Sequence, residues 1–166
     1  MFVPRLDNVK GPPRRRSYFL KEHMVVTEIA KELYTATATA VGGRAGHVKS
    51  SDGLVDVDLR RPVEMGGPGG ATNPEQLFAS GYSACFQGAM GLVAKKRDIN
   101  TDESTVTASV TLGTALGGAL TLAVVLEVHI PGIPLELAQE LADGAHQVCP
   151  YSNATRGNIK VAVVAV

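Results

Sequence analysis

The chain has 166 residues, and its 16 basic and 16 acidic side chains give a formal net charge of zero at pH 7. That length suits one domain with a hydrophobic core. The balanced charge argues against a nucleic-acid binder, and no apolar run is long enough to cross a membrane. Aromatic residues make up only 5% of the chain, so we expect a core built from Val, Leu and Ala.

The N-terminal segment, residues 1–23, differs from the rest because it is basic and contains three prolines. It lacks an apolar stretch of the length that a signal peptide needs, so we expect a cytoplasmic protein. We predict a disordered arm, or sequence upstream of a domain that spans residues 24–166, with Met24 as a candidate start. An arm that contacts nucleic acid or an anionic surface stays open as the alternative.

Three short strands are predicted before the first helix. Thr and Ala alternate over residues 33–41, which is typical of a half-buried strand. A glycine-rich turn at residues 42–46 leads into predicted strands at residues 47–50 and 54–59. Between them, the sequence Ser51-Asp52-Gly53 indicates a hairpin.

A long helix is predicted after a loop at residues 61–72. Asn73 is a favourable N-cap residue, and Pro74 suits the first helical position. Apolar residues then recur at helical spacing as far as the basic run at residues 95–97, which complements the negative end of the helix dipole. The many small residues predict a buried helix that its neighbours approach closely.

Two further strands, residues 105–112 and 120–130, are joined through Gly117-Gly118, and residues 159–166 form a final strand. The order βββ-α-ββ-α-β, with short connections, predicts an α+β fold with antiparallel sheet.

A second helix is predicted to begin at Pro134. One face carries the apolar residues Leu137, Leu141, Ala145 and either Val148 or Cys149. The helix should end at Cys149-Pro150, because proline cannot continue the hydrogen-bond ladder.

The chain contains two cysteines, Cys85 and Cys149. In a cytoplasmic chain, such a pair is more typical of reactive cysteines than of structural ones. A thiol needs a cation or a helix N-terminus to become a good nucleophile. Cys85 lies mid-helix and needs a side-chain cation, whereas Cys149 lies at a predicted helix C-terminus, where the dipole disfavours an anion. This favours Cys85 as nucleophile and Cys149 as resolving thiol, although two buried, inert cysteines fit the composition equally well.

Other chemistries find less support in the sequence. His146 and Cys149 share a predicted helix, but the four histidines show no metal-ligand spacing, so we predict no metal. A Cys/His hydrolase would need a histidine that nothing in the sequence selects. The glycine run at residues 66–70 lacks the Lys-Ser/Thr ending of a phosphate loop, and no Cys-x-x-Cys motif is present.

Four separated motifs carry a resemblance. They are YTATATAVGGR at residues 34–44, SDG at 51–53, GGATNPEQLFASGYSACF at 69–86 and CPYSNATRGN at 149–158. In this order they resemble the organic hydroperoxide resistance (Ohr) proteins of the OsmC group, from about residue 32 to the end. The resemblance implies an OsmC-like fold with antiparallel sheets wrapped around two central helices, in an intertwined homodimer.

The resemblance also implies a cysteine peroxidase that reduces organic hydroperoxides, both alkyl and fatty-acid, to alcohols. Cys85 would attack the peroxide and become a sulfenic acid, and Cys149 would condense with it to a redox-active disulfide. Dihydrolipoyl groups of a lipoylated protein would then reduce that disulfide. No bound cofactor is implied.

In the same family pattern, Arg44 holds the thiolate and Glu75 holds Arg44. A guanidinium stays charged and can donate to both groups. Glu75 and Cys85 are ten residues apart, which places them about 15 Å apart along a helix and pointing about 80° apart. We therefore expect Arg44 and Glu75 to reach Cys85 from the partner subunit.

Three aromatic residues near Cys85 are candidate contacts for the alkyl tail of a substrate: Phe78, Tyr82 and Phe86. Plain core packing explains any one of them equally well. Two other functions stay open, namely an OsmC-type peroxidase with a broader or hydrogen peroxide preference, and a non-enzymatic thiol redox sensor or small-ligand binder. The context of Cys85 and Arg44 favours the organic-peroxide branch.

Overall fold

The computed structural model describes residues 26–166, so the predicted arm at residues 1–23 and its boundary at Met24 lie outside this range. The chain divides into two units, Met1–Thr35 and Ala36–Val166. Residues 26–35 of the first unit are exposed and contain neither helix nor strand. The helices and strands of the described chain all belong to the second unit.

A three-stranded antiparallel sheet opens the second unit. It contains β1 (Ala38–Val41), β2 (His47–Ser50) and β3 (Asp56–Asp58), in that order. The three predicted strands are therefore confirmed, but the first and third are shorter than predicted. Asp52 shapes the hairpin by accepting hydrogen bonds from the Ser50 hydroxyl at 2.5 Å and the Leu54 N–H at 3.0 Å.

Helix α1 spans Pro74–Lys95 and begins as predicted. The Asn73 side chain accepts a hydrogen bond from the Gln76 N–H at 2.9 Å, and Pro74 occupies the first turn. These two residues start the helix because the cap satisfies a free N–H group and proline has none to lose. The buried face of α1 consists of Tyr82, Phe86, Ala89, Met90 and Ala94.

The second sheet contains β4 (Thr105–Thr114), β5 (Leu120–His129) and β6 (Lys160–Ala165), with β5 in the centre. β4 and β5 are antiparallel, whereas β5 and β6 are parallel. The prediction of an antiparallel sheet is wrong for β6. The chain reaches β6 through a helical crossover, which returns it to the end of the sheet where β5 begins and so permits parallel pairing.

That crossover contains two helices, α2 (Leu135–Val148) and α3 (Pro150–Thr155). The predicted end of α2 before Pro150 is confirmed. The sequence reading missed α3 because it treated Pro150 only as a helix terminator, whereas proline also suits the first turn of a following helix. Cys149 is the junction between the two helices.

The core lies where α1 and α2 pack against the second sheet. Its most buried members from β5 and α2 are Val124, Leu126, Val128, Leu141, Ala142 and Ala145. The predicted Val, Leu and Ala core is confirmed for these elements, and α1 adds two aromatic residues, Tyr82 and Phe86. Within residues 26–166, no helix combines the length and apolarity needed to cross a membrane.

Candidate active site

The two cysteine sulfurs lie side by side. The Sγ atoms of Cys85 on α1 and Cys149 at the α2–α3 junction are 3.6 Å apart, and both thiols are free. A disulfide bond is about 2.05 Å long, so a movement of about 1.5 Å would join them. Cys85 is half-buried, whereas Cys149 is 0% exposed. A molecule arriving from solvent therefore meets Cys85 first, which agrees with Cys85 as the attacking thiol.

Cys149 is held between two helix ends. Its N–H donates to the carbonyl of Ala145 in α2 at 2.9 Å, and its own carbonyl accepts from the N–H of Asn153 in α3 at 2.9 Å. Its backbone is extended, with φ −64° and ψ 125°. Cys149 lies at the C-terminal end of α2, as predicted, but it also lies at the start of α3. The ranking of the two thiols therefore depends on their exposure rather than on helix dipoles.

The surroundings of Cys85 within one chain do not favour a thiolate. Burial raises the pKa of the Cys85 thiol above its ordinary value; the backbone N–H of Tyr151 lowers it, and the neighbouring Cys149 raises it again. No hydrogen bond or ion pair joins Cys85 to a cationic side chain in residues 26–166. Because the thiolate is the reactive form, Cys85 needs a cation from elsewhere.

Arg44 and Glu75 form a two-pronged ion pair. The guanidinium donates from Nη1 at 2.8 Å and from Nη2 at 2.5 Å to the two carboxylate oxygens. This hydrogen bonding raises the pKa of Arg44 and lowers the pKa of Glu75. Such a pair fixes the plane of the guanidinium and leaves further N–H groups free to donate. The predicted contact between Arg44 and Glu75 is therefore present.

Arg44 lies in a 3₁₀ turn, Gly43–Ala45, between β1 and β2. Gly42 and Gly43 have φ of 75° and 55°, which only glycine adopts without strain. A Cβ added at Gly46 would lie 1.7 Å from the carbonyl oxygen of Val41. The glycines thus permit the tight loop that presents Arg44.

The sulfur pair and the ion pair are separate within one chain. Glu75 and Cys85 are both on α1, ten residues apart, which corresponds to about 15 Å along the axis. Across residues 26–166, neither Arg44 nor Glu75 makes a hydrogen bond to either cysteine. The predicted contact between Arg44 and Cys85 is therefore not made inside a single chain.

The candidate substrate contacts have different environments. Tyr82 and Phe86 are 0% exposed and belong to the core. Phe78 is half-buried and lines a cavity of about 340 Å³ together with Arg44 and Glu75. Of the three aromatic residues, Phe78 is thus the one that borders open space near the ion pair.

The sequence reading missed Tyr151. Its ring centroid lies 5.9 Å from that of Phe78 and 5.5 Å from that of Tyr82, and its backbone N–H faces Cys85. A Cβ added at Gly81 would lie 2.9 Å from the Tyr151 hydroxyl, so glycine makes room for the ring. The position of Tyr151, two residues after Cys149, was the available signal.

A buried polar cluster beside the cysteines was also missed. The Tyr82 hydroxyl lies 3.0 Å from Ser152 Oγ and 3.2 Å from Thr155 Oγ1, and His146 Nδ1 lies 2.9 Å from Ser152 Oγ. His146 thus pairs with a serine. In the part of the chain that the structure describes, no group of three or more His, Cys, Asp or Glu residues could hold a metal ion.

Comparison with known proteins shows the family to which the chain belongs. A family model described as OsmC-like protein matches residues 67–164. The chain is 52% identical over 132 residues to the organic hydroperoxide resistance protein of Xanthomonas axonopodis pv. citri, covering 79% of this chain and 93% of the relative. The chain belongs to the OsmC-like family, in its organic hydroperoxide resistance (Ohr) subfamily.

Solved structures of Ohr proteins have the same fold. The crystal structure of an organic hydroperoxide resistance protein from Elizabethkingia anophelis matches with a TM-score of 0.76 and 53% identity, over 81% of this chain and 97% of that one. OhrB of Bacillus subtilis matches with a TM-score of 0.75 and 45% identity, over 81% of this chain and 100% of that one. The predicted α+β, OsmC-like fold is thus confirmed.

Proposed function

We propose that the protein is a thiol peroxidase that reduces organic hydroperoxides to alcohols. The observation that carries the proposal is the pair of free sulfurs 3.6 Å apart, with Cys85 half-buried and Cys149 fully buried. Membership of the Ohr subfamily supports it, since the relatives are named for resistance to organic hydroperoxides. A free thiol pair suits a reducing compartment, and we place the protein in the cytoplasm.

In the first step, the Cys85 thiolate attacks one oxygen of the hydroperoxide. An S–O bond forms, the O–O bond breaks, and the other oxygen takes a proton and leaves as the alcohol. Cys85 becomes a sulfenic acid, oxidised by two electrons, and the hydroperoxide is reduced by two.

In the second step, Cys149 attacks the sulfenic acid of Cys85. An S–S bond forms, the S–O bond breaks, and the hydroxyl leaves as water with the proton of the Cys149 thiol. The short distance between the sulfurs supports this step, because a small movement makes the bond. The disulfide protects Cys85 from a second, irreversible oxidation.

An external dithiol closes the cycle. We propose dihydrolipoyl groups of a lipoylated protein as this reductant, which supply two electrons and two protons by thiol–disulfide exchange. The resemblance to Ohr proteins is the support for this choice. The predicted cycle needs no bound metal or organic cofactor.

We further propose that two chains form an intertwined homodimer, in which Cys85 receives the partner subunit's Arg44 and Glu75. Two observations support this. Cys85 has no cationic partner in the described part of its own chain. Apolar side chains are also left uncovered, with Val41 71% exposed, Leu54 87% and Leu92 66%. Burial of such side chains in a dimer is favourable by about 25 cal/mol per Å².

Steady-state consumption of cumene hydroperoxide tests the proposal, with dihydrolipoamide, thioredoxin and glutathione compared as reductants. We expect turnover with dihydrolipoamide and no activity in Cys85→Ser. Faster consumption of hydrogen peroxide than of cumene hydroperoxide would instead support an OsmC-type peroxidase. Oxidation that stops after one equivalent with every reductant would support a redox sensor.

A further inference from the structure

We propose that the hydrogen-bond chain of His146, Ser152 and Tyr82 positions Cys149 for its attack on oxidised Cys85. These are positioning residues, and they decide how often the sulfenic acid is resolved rather than over-oxidised. The inference rests on the proposed peroxidase function and deepens it, because it concerns the fate of the oxidised sulfur.

The chain is short and continuous. His146 Nδ1 lies 2.9 Å from Ser152 Oγ, which lies 3.0 Å from the Tyr82 hydroxyl. The Tyr82 hydroxyl also lies 3.2 Å from Thr155 Oγ1. Ser152 and Tyr82 are both 0% exposed, and no buried side-chain N or O atom of the described residues lacks a hydrogen-bond partner. The Ser152 and Tyr82 hydroxyls therefore depend on these partners, since water does not reach them. His146 is half-buried.

The three residues lie on the elements that carry the two sulfurs. Tyr82 comes three residues before Cys85 on α1, so the two are about one turn apart. His146 comes three residues before Cys149 on α2, and Ser152 comes three residues after it on α3. The hydrogen bonds thus tie α1, α2 and α3 together within one turn of each sulfur.

Cys149 needs this support because its extended backbone lies between the two helices, with a single hydrogen bond to each. Its side chain is located only by the helices on each side. Arg156 adds a brace across the same junction, donating from Nη2 to the His146 carbonyl at 2.5 Å and from Nη1 to Asn153 Oδ1 at 2.9 Å. A loosened junction would let α3 move and would increase the distance between the sulfurs.

The sulfur distance matters because two reactions compete for the sulfenic acid. In one, the Cys149 thiol displaces the hydroxyl as water and a disulfide forms. In the other, a second hydroperoxide transfers an oxygen atom to the sulfur, giving a sulfinic acid and a second alcohol. Only the first reaction depends on the position of Cys149, so a misplaced Cys149 shifts the outcome toward sulfinic acid.

The test is mass spectrometry of protein that turns over cumene hydroperoxide with dihydrolipoamide as reductant. Ser152→Ala removes the central hydroxyl, and Tyr82→Phe removes one end of the chain. We expect Ser152→Ala to raise the sulfinic fraction per turnover about 5- to 10-fold, the change expected from the loss of one buried hydrogen bond. We expect a smaller rise in Tyr82→Phe, because the bond between Ser152 and His146 remains.

Two controls make the result specific. Gln139→Met removes hydrogen bonds from α2 to Val163 and Ala165, away from the sulfurs, and should leave the sulfinic fraction unchanged. In a Cys149→Ser background, adding Ser152→Ala should change neither the oxidation of Cys85 nor its over-oxidation. A general disturbance of Cys85 would persist in that background.

Two results would overturn the inference: an unchanged sulfinic fraction in both Ser152→Ala and Tyr82→Phe, or a rise that persists without Cys149. A wild-type protein that consumes no hydroperoxide would overturn the proposed function, and the inference with it. The two failures are therefore distinguishable.

Discussion

The sulfur of Cys85 lies 3.6 Å from the sulfur of Cys149, and only the first belongs to a half-exposed residue. This relationship joins a residue in the middle of α1 to a residue between two later helices, 64 positions further along the chain. It gives the two thiols different access to solvent while keeping them close enough to bond. The division of labour between attacking and resolving thiols follows from this geometry.

Replacing each cysteine with serine should affect peroxide consumption in a different way. Cys85→Ser removes the nucleophile and should abolish peroxide consumption. Cys149→Ser should consume about one equivalent at an undiminished initial rate and then accumulate sulfinic acid, because resolution is lost. Thiol counting and mass spectrometry after stepwise addition of cumene hydroperoxide distinguish the two. Rapid turnover of Cys149→Ser with dihydrolipoamide, without over-oxidation, would contradict a required resolving thiol.

Removal of the guanidinium should weaken Cys85 as a nucleophile. If Arg44 stabilises the thiolate, Arg44→Gln raises the pKa of Cys85 and slows its reaction at pH 7 about 10-fold or more. The rate of Cys85 alkylation by iodoacetamide, measured against pH in a Cys149→Ser background, reports this pKa directly. The matched control is Arg97→Gln, because the ion pair of Arg97 with Glu140 lies on the surface. An unchanged pH profile in Arg44→Gln would exclude the assigned role.

Much of the fold was predictable because its signals are local. Asn73 and Pro74 mark the start of α1, and alternating residues mark the strands. The helix α3 was not predictable in this way, since six residues are too few to show a helical period. The parallel direction of β6 was missed because strand direction depends on how the crossover packs, and no strand pattern encodes that.

The candidate site also has a part that could be predicted from the sequence and a part that could not. Arg44, Glu75 and the two cysteines lie in motifs that resemble Ohr proteins. The contact between Tyr82 and Ser152 joins residues 70 positions apart, and neither residue type indicates a site by itself. Its existence follows only from the packing of α3 against α1, so sequence reasoning could not reach it.

A mixed dimer tests whether Arg44 acts across subunits. A chain with Arg44→Gln keeps its cysteines, and a chain with Cys85→Ser keeps its arginine. If the partner subunit's Arg44 serves Cys85, mixing the slow Arg44→Gln chain with the inactive Cys85→Ser chain under exchange should raise the activity, because one intact site forms per mixed dimer. Peroxidase activity of the mixture, against each variant alone, is the measurement. Verified mixed dimers no more active than the Arg44→Gln chain alone would show that Arg44 acts within its own chain.

The β2–β3 hairpin should respond to pH through His47. Its Nδ1 lies 2.9 Å from Asp58 and its Nε2 lies 2.7 Å from Asp56. The hydrogen bonds to Asp58 and then Asp56 raise the pKa of His47. Hydrogen bonds from Lys49 and His47 lower the pKa of Asp56, and the hydrogen bond from His47 and the charge of Arg60 lower the pKa of Asp58. The raised pKa of the histidine means that its stabilising effect is complete below about pH 6.5, its unfolded value, and is lost as pH rises through the folded pKa.

Thermal unfolding of His47→Gln against wild type measures this effect. The Tm advantage of the wild type should be greatest near pH 5.5 and should shrink by pH 9, with a decline also in strong acid as the two aspartates are protonated. The groups are exposed, so the effect should weaken in high salt. A Tm difference that does not change between pH 5.5 and pH 9 would contradict a charged His47 between the carboxylates.

Gly46→Ala should disable the Arg44 loop while leaving the core intact. The added Cβ would lie 1.7 Å from the Val41 carbonyl oxygen and 2.7 Å from the Gly42 Cα, both backbone atoms that cannot rotate away. The turn between β1 and β2 must then open, and Arg44 loses its position against Glu75. We expect a loss of peroxidase activity comparable to that of Arg44→Gln. The helical circular dichroism signal should be retained, because the core around α1 and α2 contains no residue of this loop. Gly113→Ala in β4 is the control, since nothing lies within 4 Å of its added Cβ and its φ is not in the left-handed region. Full activity in Gly46→Ala would show that the tight loop is not needed to present Arg44.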